Sequence, residues 1–154
     1  MSHIHEKIDF CSEVYIVYKN KVLLRMHDKY HVWLSVGGHI ELFEDPIEAA
    51  IREVKEEVGL DVDLIGNRPA IEDEYDYKHI LTPRYLGSHQ VNDVHKHITF
   101  VYFAKAKTDK IIDSTSLHER AETCWATKEE LLKMKLRPNV LFYANEALKE
   151  LAEK

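Results

Sequence analysis

The chain has 154 residues, 45% of them hydrophobic and 31% charged, and a formal net charge of −6. That length suits one domain, spanning residues 1–154, able to bury a real core, and the acidic balance argues against a broad basic surface for holding nucleic acid. Cys11 and Cys124, the two cysteines, stand in no motif spacing, so neither a disulfide framework nor a thiolate zinc site is indicated.

Residues 1–9, MSHIHEKID, lack the apolar core of a signal peptide, and no stretch approaches about eighteen apolar residues. The expectation is a reduced, cytoplasmic protein without a membrane span. Phe10 to Tyr18 is rich in β-branched and aromatic residues and reads as a strand, with Lys19-Asn20-Lys21 turning into a second strand, Val22 to Met26. Trp33 to Val36 reads as a short extended piece ended by Gly37-Gly38, and Trp33, like Trp125, is expected in the core. A helix follows with Asp45 as N-cap, Pro46 at its first position and Glu48 completing a capping box. Its apolar positions Ile47, Ala50, Ile51, Val54 and Val58 recur at helical period and are expected to face the core, and Gly59 is placed to stop it. Val62 to Ile65 reads as a strand, whereas Pro69, Pro83 and Gly87 interrupt any long element across residues 66–96. The tyrosines of that stretch, Tyr75, Tyr77 and Tyr85, read as packing residues rather than base-stacking ones. Ile98 to Ala106 is a clear strand and Thr123 to Ala126 a short one. Thr127 and Glu130 form a second capping box before Leu131 and Leu132, and Pro138 opens a last amphipathic helix carrying Leu141, Ala144, Leu148 and Leu151. Strands mixed with about three helices indicate an α/β or α+β layered domain.

The chemistry concentrates between Gly38 and Gly59, in GHIELFEDPIEAAIREVKEEVG. Glu53, Glu56 and Glu57 are three and four residues apart, which stacks them on one flank of a helix over an arc of about 100°. Glu44 lies in the turn before that helix. Two bare carboxylates about 4 Å apart repel by roughly 4 kcal/mol at an effective dielectric of ~20. Divalent cations are the natural remedy, and oxygen-only ligands suit Mg²⁺ or Mn²⁺. An acidic protein handling polyphosphates needs such ions between itself and its substrate.

Other polar residues carry weaker signals. His89, His95 and His97 share the alternate spacing that places strand residues on one face, as a zinc site would use, but no fourth ligand is apparent and His95-x-His97 reads as a polar strand edge. Arg25, Lys29 and Arg84 are cations able to contact phosphate, although scattered along the chain.

The glutamate-rich segment resembles the Nudix box, G-x5-E-x7-R-E-U-x-E-E-x-G-U, where U is a bulky apolar residue. Gly38, Glu44, Arg52, Glu53, Val54, Glu56, Glu57, Gly59 and Leu60 fill every fixed position. The resemblance implies a Nudix hydrolase domain: an α/β/α sandwich around a mixed β-sheet, splitting a pyrophosphate link in a nucleoside diphosphate-linked compound or a nucleoside triphosphate, usually with Mg²⁺. By motif position it implies Glu53, Glu56 and Glu57 as metal ligands, joined by the Gly37 carbonyl. Arg52 would orient the glutamates, and Glu44 would pair with Arg52 or join the metal shell. The general base varies within the family. Glu53 and Glu56 are the candidates in the box, and Glu119 and Glu122 the later ones; a box glutamate is favoured. Arg25 and Glu122 are the expected substrate contacts. Many relatives pair, so a homodimer through the last helix or first strand is a further expectation. The alternative is a non-catalytic nucleotide-binding module, which an intact box argues against; a phosphatase releasing orthophosphate is a third.

Overall fold

The structure is a computed structural model that describes residues 7–112 and 121–154. Two long strands dominate it, β1 (Ile8–Tyr18) and β7 (His95–Ala106), running parallel from Ile8↔Lys96 to Val17↔Lys105. Each carries two shorter antiparallel partners along its outer edge. The first half of β1 pairs with β4 (Val36–His39) and its end with β2 (Lys21–His27). On β7 the corresponding partners are β6 (Tyr85–Asn92) and β5 (Val62–Ile65). Beyond its pairing with β1, β2 pairs along the same edge with β3 (Val32–Leu34) and along the opposite edge with β8 (Thr123–Ala126), which completes a mixed sheet of eight strands among the described residues.

Alternation along β1 explains the layers. Val14 and Ile16 point to one face and pack with Ala50, Val54 and Val58 of helix α1 (Pro46–Val58). Tyr15 and Val17 point to the other and pack with Val140, Ala144, Ala147, Leu148 and Leu151 of α3 (Pro138–Leu151). The short helix α2 (Lys128–Leu131) seals the α3 side with Leu131. The result is the α/β/α sandwich expected from the sequence. Full burial of side chains such as Val54 or Leu131 contributes about 1.5–3 kcal/mol each.

Local signals explain the helix ends. Asp45 accepts from the backbone N–H groups of Ile47 and Glu48 at 2.8 and 2.9 Å, while the Glu48 carboxylate accepts from Asp45 N–H at 2.9 Å. Gly59 closes α1 in the left-handed region at φ 67°, and Thr127 caps α2 with Glu130.

Several expectations need correction. Gly37-Gly38 lies inside β4 rather than ending a strand. Residues 66–96, left without a long element, contain β6, because hairpin pairing with β7 supplies a ladder that overrides the interrupting Gly87. Ile51 is 43% exposed instead of buried. Helix α1 is rolled so that the flank bearing Ala49 and Glu53 meets the sheet, which leaves Ile51, about 60° beyond Val54, in solvent. Trp33 and Trp125 are half-buried at the core margins, and Leu132 is exposed past the end of α2. Tyr85 packs against Phe103, Phe142 and Tyr143, whereas Tyr75 and Tyr77 stand in solvent and pack no core.

Candidate functional site

The roll of α1 buries a carboxylate. Glu53 is 7% exposed and lies against Gly38 of β4, where an added Cβ would come within 2.3 Å of Glu53 Oε1. Only a residue without a side chain leaves room there. Gly37 is constrained differently, since a Cβ would meet the Ser12 carbonyl oxygen of β1 at 2.2 Å. The glycine pair thus lets β4 lie close to β1 and to the glutamate flank of the helix.

Arg52 gathers the carboxylates. Its Nε and Nη2 donate to the two oxygens of Glu44 at 2.5 and 3.0 Å. Nη1 donates to Glu53 at 2.9 Å and to Glu56 at 3.1 Å, and Nη2 also reaches the His39 carbonyl at 3.0 Å. A planar fork with five donors suits this multiple binding better than an ammonium would. Glu57 is held separately: Oε1 accepts from Gly37 N–H at 2.8 Å, and Oε2 pairs with Arg25 at 2.6 Å. Arg25 projects from β2 at the position flanked by Leu34 of β3 and Thr123 of β8.

These contacts divide the charges unequally. Burial pushes the Glu53 carboxyl above its ordinary value, a shift that Arg52 opposes and the nearby charges of Glu56 and Glu44 reinforce. The hydrogen bonds from Arg52 hold Glu44 below the usual range, and the same bonds raise the guanidinium still further, so Arg52 stays cationic. Glu56 keeps 47% of its side chain exposed and faces the open side. Four carboxylates (Glu44, Glu53, Glu56, Glu57) face two guanidinium groups (Arg25, Arg52), a local excess of two negative charges. All-oxygen donors with excess negative charge, one of them buried, fit a hard divalent cation.

Of the remaining sequence candidates, Glu122 is exposed just before β8, its carbonyl accepting from Met26 N–H at 2.8 Å, one register step from Arg25. Glu119 lies outside the described residues. Arg84 is paired with Glu150 on α3, across the sheet from the glutamates, and Lys29 stands exposed over the Tyr30 ring. A cavity of about 300 Å³ beside the start of α1 is lined by Asp45, Glu48, Arg68, Lys78 and Leu81 among others. Another, of about 360 Å³, lies between Tyr85, Phe103 and Glu146. Neither is lined by Glu44, Glu53, Glu56 or Glu57.

The sequence reading missed two neighbours. Glu13, whose backbone is opposite Gly37 on β1, shares the Tyr15 face of the sheet, away from α1, and its burial raises its pKa; one charge inside the apolar run CSEVYIVY was its only signal. The carbonyl of His39, which anchors Arg52, carries no sequence signal because a backbone acceptor is independent of residue type.

Comparison with known proteins finds relatives of the same fold. The NUDIX domain family model matches residues 14–145. A hydrolase of the NUDIX family from Clostridium perfringens is 34% identical, with a TM-score of 0.79 over 92% of this chain and 97% of its own. The MutT NUDIX hydrolase from Burkholderia pseudomallei shares the fold at 20% identity and a TM-score of 0.63, over 96% of this chain and 100% of its own. A MutT protein from Bacillus halodurans does so at 17% and 0.61, over 91% and 82%. No curated protein sequence matches significantly.

Proposed function

The chain belongs to the Nudix family of hydrolases, and from that premise we propose that it splits the pyrophosphate bond of a nucleoside triphosphate or a nucleoside diphosphate-linked compound with the aid of Mg²⁺, or Mn²⁺ in its place. The observation that carries the proposal is the convergence of Glu44, Glu53 and Glu56 on Arg52, beside Glu57 held by Arg25 and Gly37 N–H.

Glu53, Glu56, Glu57 and the Gly37 carbonyl are the groups assigned to hold the ion. Bound there, Mg²⁺ would offset phosphate charge and acidify water. Arg52 fixes the carboxylates before substrate arrives, so little reorganisation is left to the reaction. Glu56, exposed and on the open side, is placed to take a proton from an attacking water; Glu53, with its raised pKa, is the second candidate base. Arg25 positions Glu57, and Arg25 and Glu122 are the two residues assigned to substrate contact. The free Cys11 and Cys124 support a reduced, cytoplasmic setting.

The test is a panel of nucleoside triphosphates, nucleotide sugars, ADP-ribose and dinucleoside polyphosphates incubated with Mg²⁺ or Mn²⁺ in ¹⁸O-water. Mass spectrometry of the products identifies the attacked phosphorus. A nucleoside monophosphate with pyrophosphate, or with the phosphorylated remainder, is expected. Orthophosphate as the first product, or a ligand-induced thermal shift without turnover, overturns the proposal.

A further inference from the structure

On the sheet face away from α1, near the start of β1, three strands bring a second set of metal-binding side chains together. Asp9 of β1 is opposite His97 of β7, and Cys11 of β1 is opposite His39 of β4, so these side chains share one face. His95, two residues before His97, lies on that face as well. Asp9 Oδ2 is 3.3 Å from His95 Nε2 and 3.6 Å from His39 Nε2, and His39 Nε2 is 3.3 Å from His97 Nε2. The ligand atoms of Asp9, His95 and His97 lie within 4.8 Å of one another, as do those of Cys11, His39 and His97.

Three of these spacings are close to those of a coordination shell, and the ligand atoms form two trios joined through His97 rather than one mutually close set of four. With metal–nitrogen and metal–oxygen bonds of about 2.0–2.1 Å, adjacent ligands of a tetrahedral site are about 3.3–3.4 Å apart. We propose that Asp9, His39, His95 and His97 form a tetrahedral site for a borderline divalent transition metal, with Zn²⁺ as its natural occupant and Cys11 as an adjacent thiol. Three imidazole nitrogens and one carboxylate oxygen favour Zn²⁺ and its late first-row neighbours over Mg²⁺, which prefers all-oxygen octahedral shells. This site therefore differs in chemistry from the glutamate cluster.

Asp9 is 1% and His95 3% exposed, which gives the shell the shielding of a structural metal centre. Its position suggests what it does. Strand β4 is only four residues long, yet it carries Gly37 and Gly38, and its His39 carbonyl holds Arg52. Metal ligation at His39 would staple this short strand to β1 and β7 through side chains, beyond its backbone ladder.

The full-length protein is loaded with Zn²⁺, dialysed against metal-free buffer containing Mg²⁺, and assayed for bound metal by mass spectrometry, with Co²⁺ as an absorbance probe of geometry. Retention of about one Zn²⁺ per chain is expected, together with a tetrahedral Co²⁺ spectrum and a rise in Tm on loading. The double variant Glu53→Gln/Glu56→Gln should retain the zinc, while His95→Ala and Asp9→Asn should weaken binding by more than about tenfold. His39→Gln, at a less buried position, serves if the others fail to fold, and circular dichroism of each metal-free variant checks folding. Zinc that is not retained by the wild-type chain identifies a hydrogen-bonded His–Asp cluster only. Zinc retained equally by folded His39→Gln, or lost with the box glutamates, places the ion elsewhere; each of these results overturns the proposal.

Discussion

Two adjacent glycines in β4 do different jobs, and substitution separates them. At Gly38 an added Cβ collides with the movable end of Glu53, so Gly38→Ala is expected to fold while displacing that carboxylate. A misplacement of about 1 Å at a reacting group can lower turnover about 10²-fold, so kinetics should register the change far more than melting does. At Gly37 the collision is with the backbone of Ser12, which cannot swing aside. Gly37→Ala should therefore cost about 1–3 kcal/mol in chemical denaturation. For the glutamates, Glu56→Gln and Glu53→Gln are each expected to lower kcat by about 10²–10⁴-fold with the fold intact, as judged by circular dichroism. Near-full turnover by either variant at saturating Mg²⁺ would remove that residue from its assigned role. The sequence made the glutamates legible through their spacing. It gave no sign that Glu53 would be the buried member of the set, because burial depends on how the helix is rolled against the sheet.

At the scale of the elements, α1 is fixed at both ends by short-range chemistry. Asp45 caps two backbone N–H groups and also pairs with Lys78 at 2.8 Å, from the loop between β5 and β6. Asp45→Ala should lower stability by about 1 kcal/mol in urea unfolding, mainly through loss of the cap. Retained stability would show that the lysine loop and sheet packing hold the helix start without it. Caps and turn residues were readable because they act within about four residues of one another. The β6–β7 hairpin was not, because its pairing partner lies outside the segment being read and cross-strand hydrogen bonds outweigh weak local preference.

Across the whole molecule, the two layers of core bury phenol groups as well as aliphatic ones. Burial, assisted by the negative charge of Asp45, pushes the Tyr102 hydroxyl from its ordinary 10.0 up to about 12, and burial pushes Tyr15 upward as well. The fold therefore favours the neutral phenol. The stability gained from this preference is complete below about pH 10 and is lost as pH rises towards 12. An ultraviolet titration of tyrosinate should show a late phase from Tyr102 and Tyr15 that coincides with alkaline unfolding; ionisation without such a late phase in folded protein would contradict it. By itself the sequence determined the family, the ends of α1, the main strands and the identities of the clustered carboxylates, since each is written in contiguous residues at fixed spacing. The resemblance already implied that Arg52 would orient the glutamates and pair with Glu44; tertiary structure alone decided that Arg25 would meet Glu57, and that Asp9 and His39 would join His95 and His97. Those meetings depend on strand register and helix roll, which are set by packing between segments far apart in the chain.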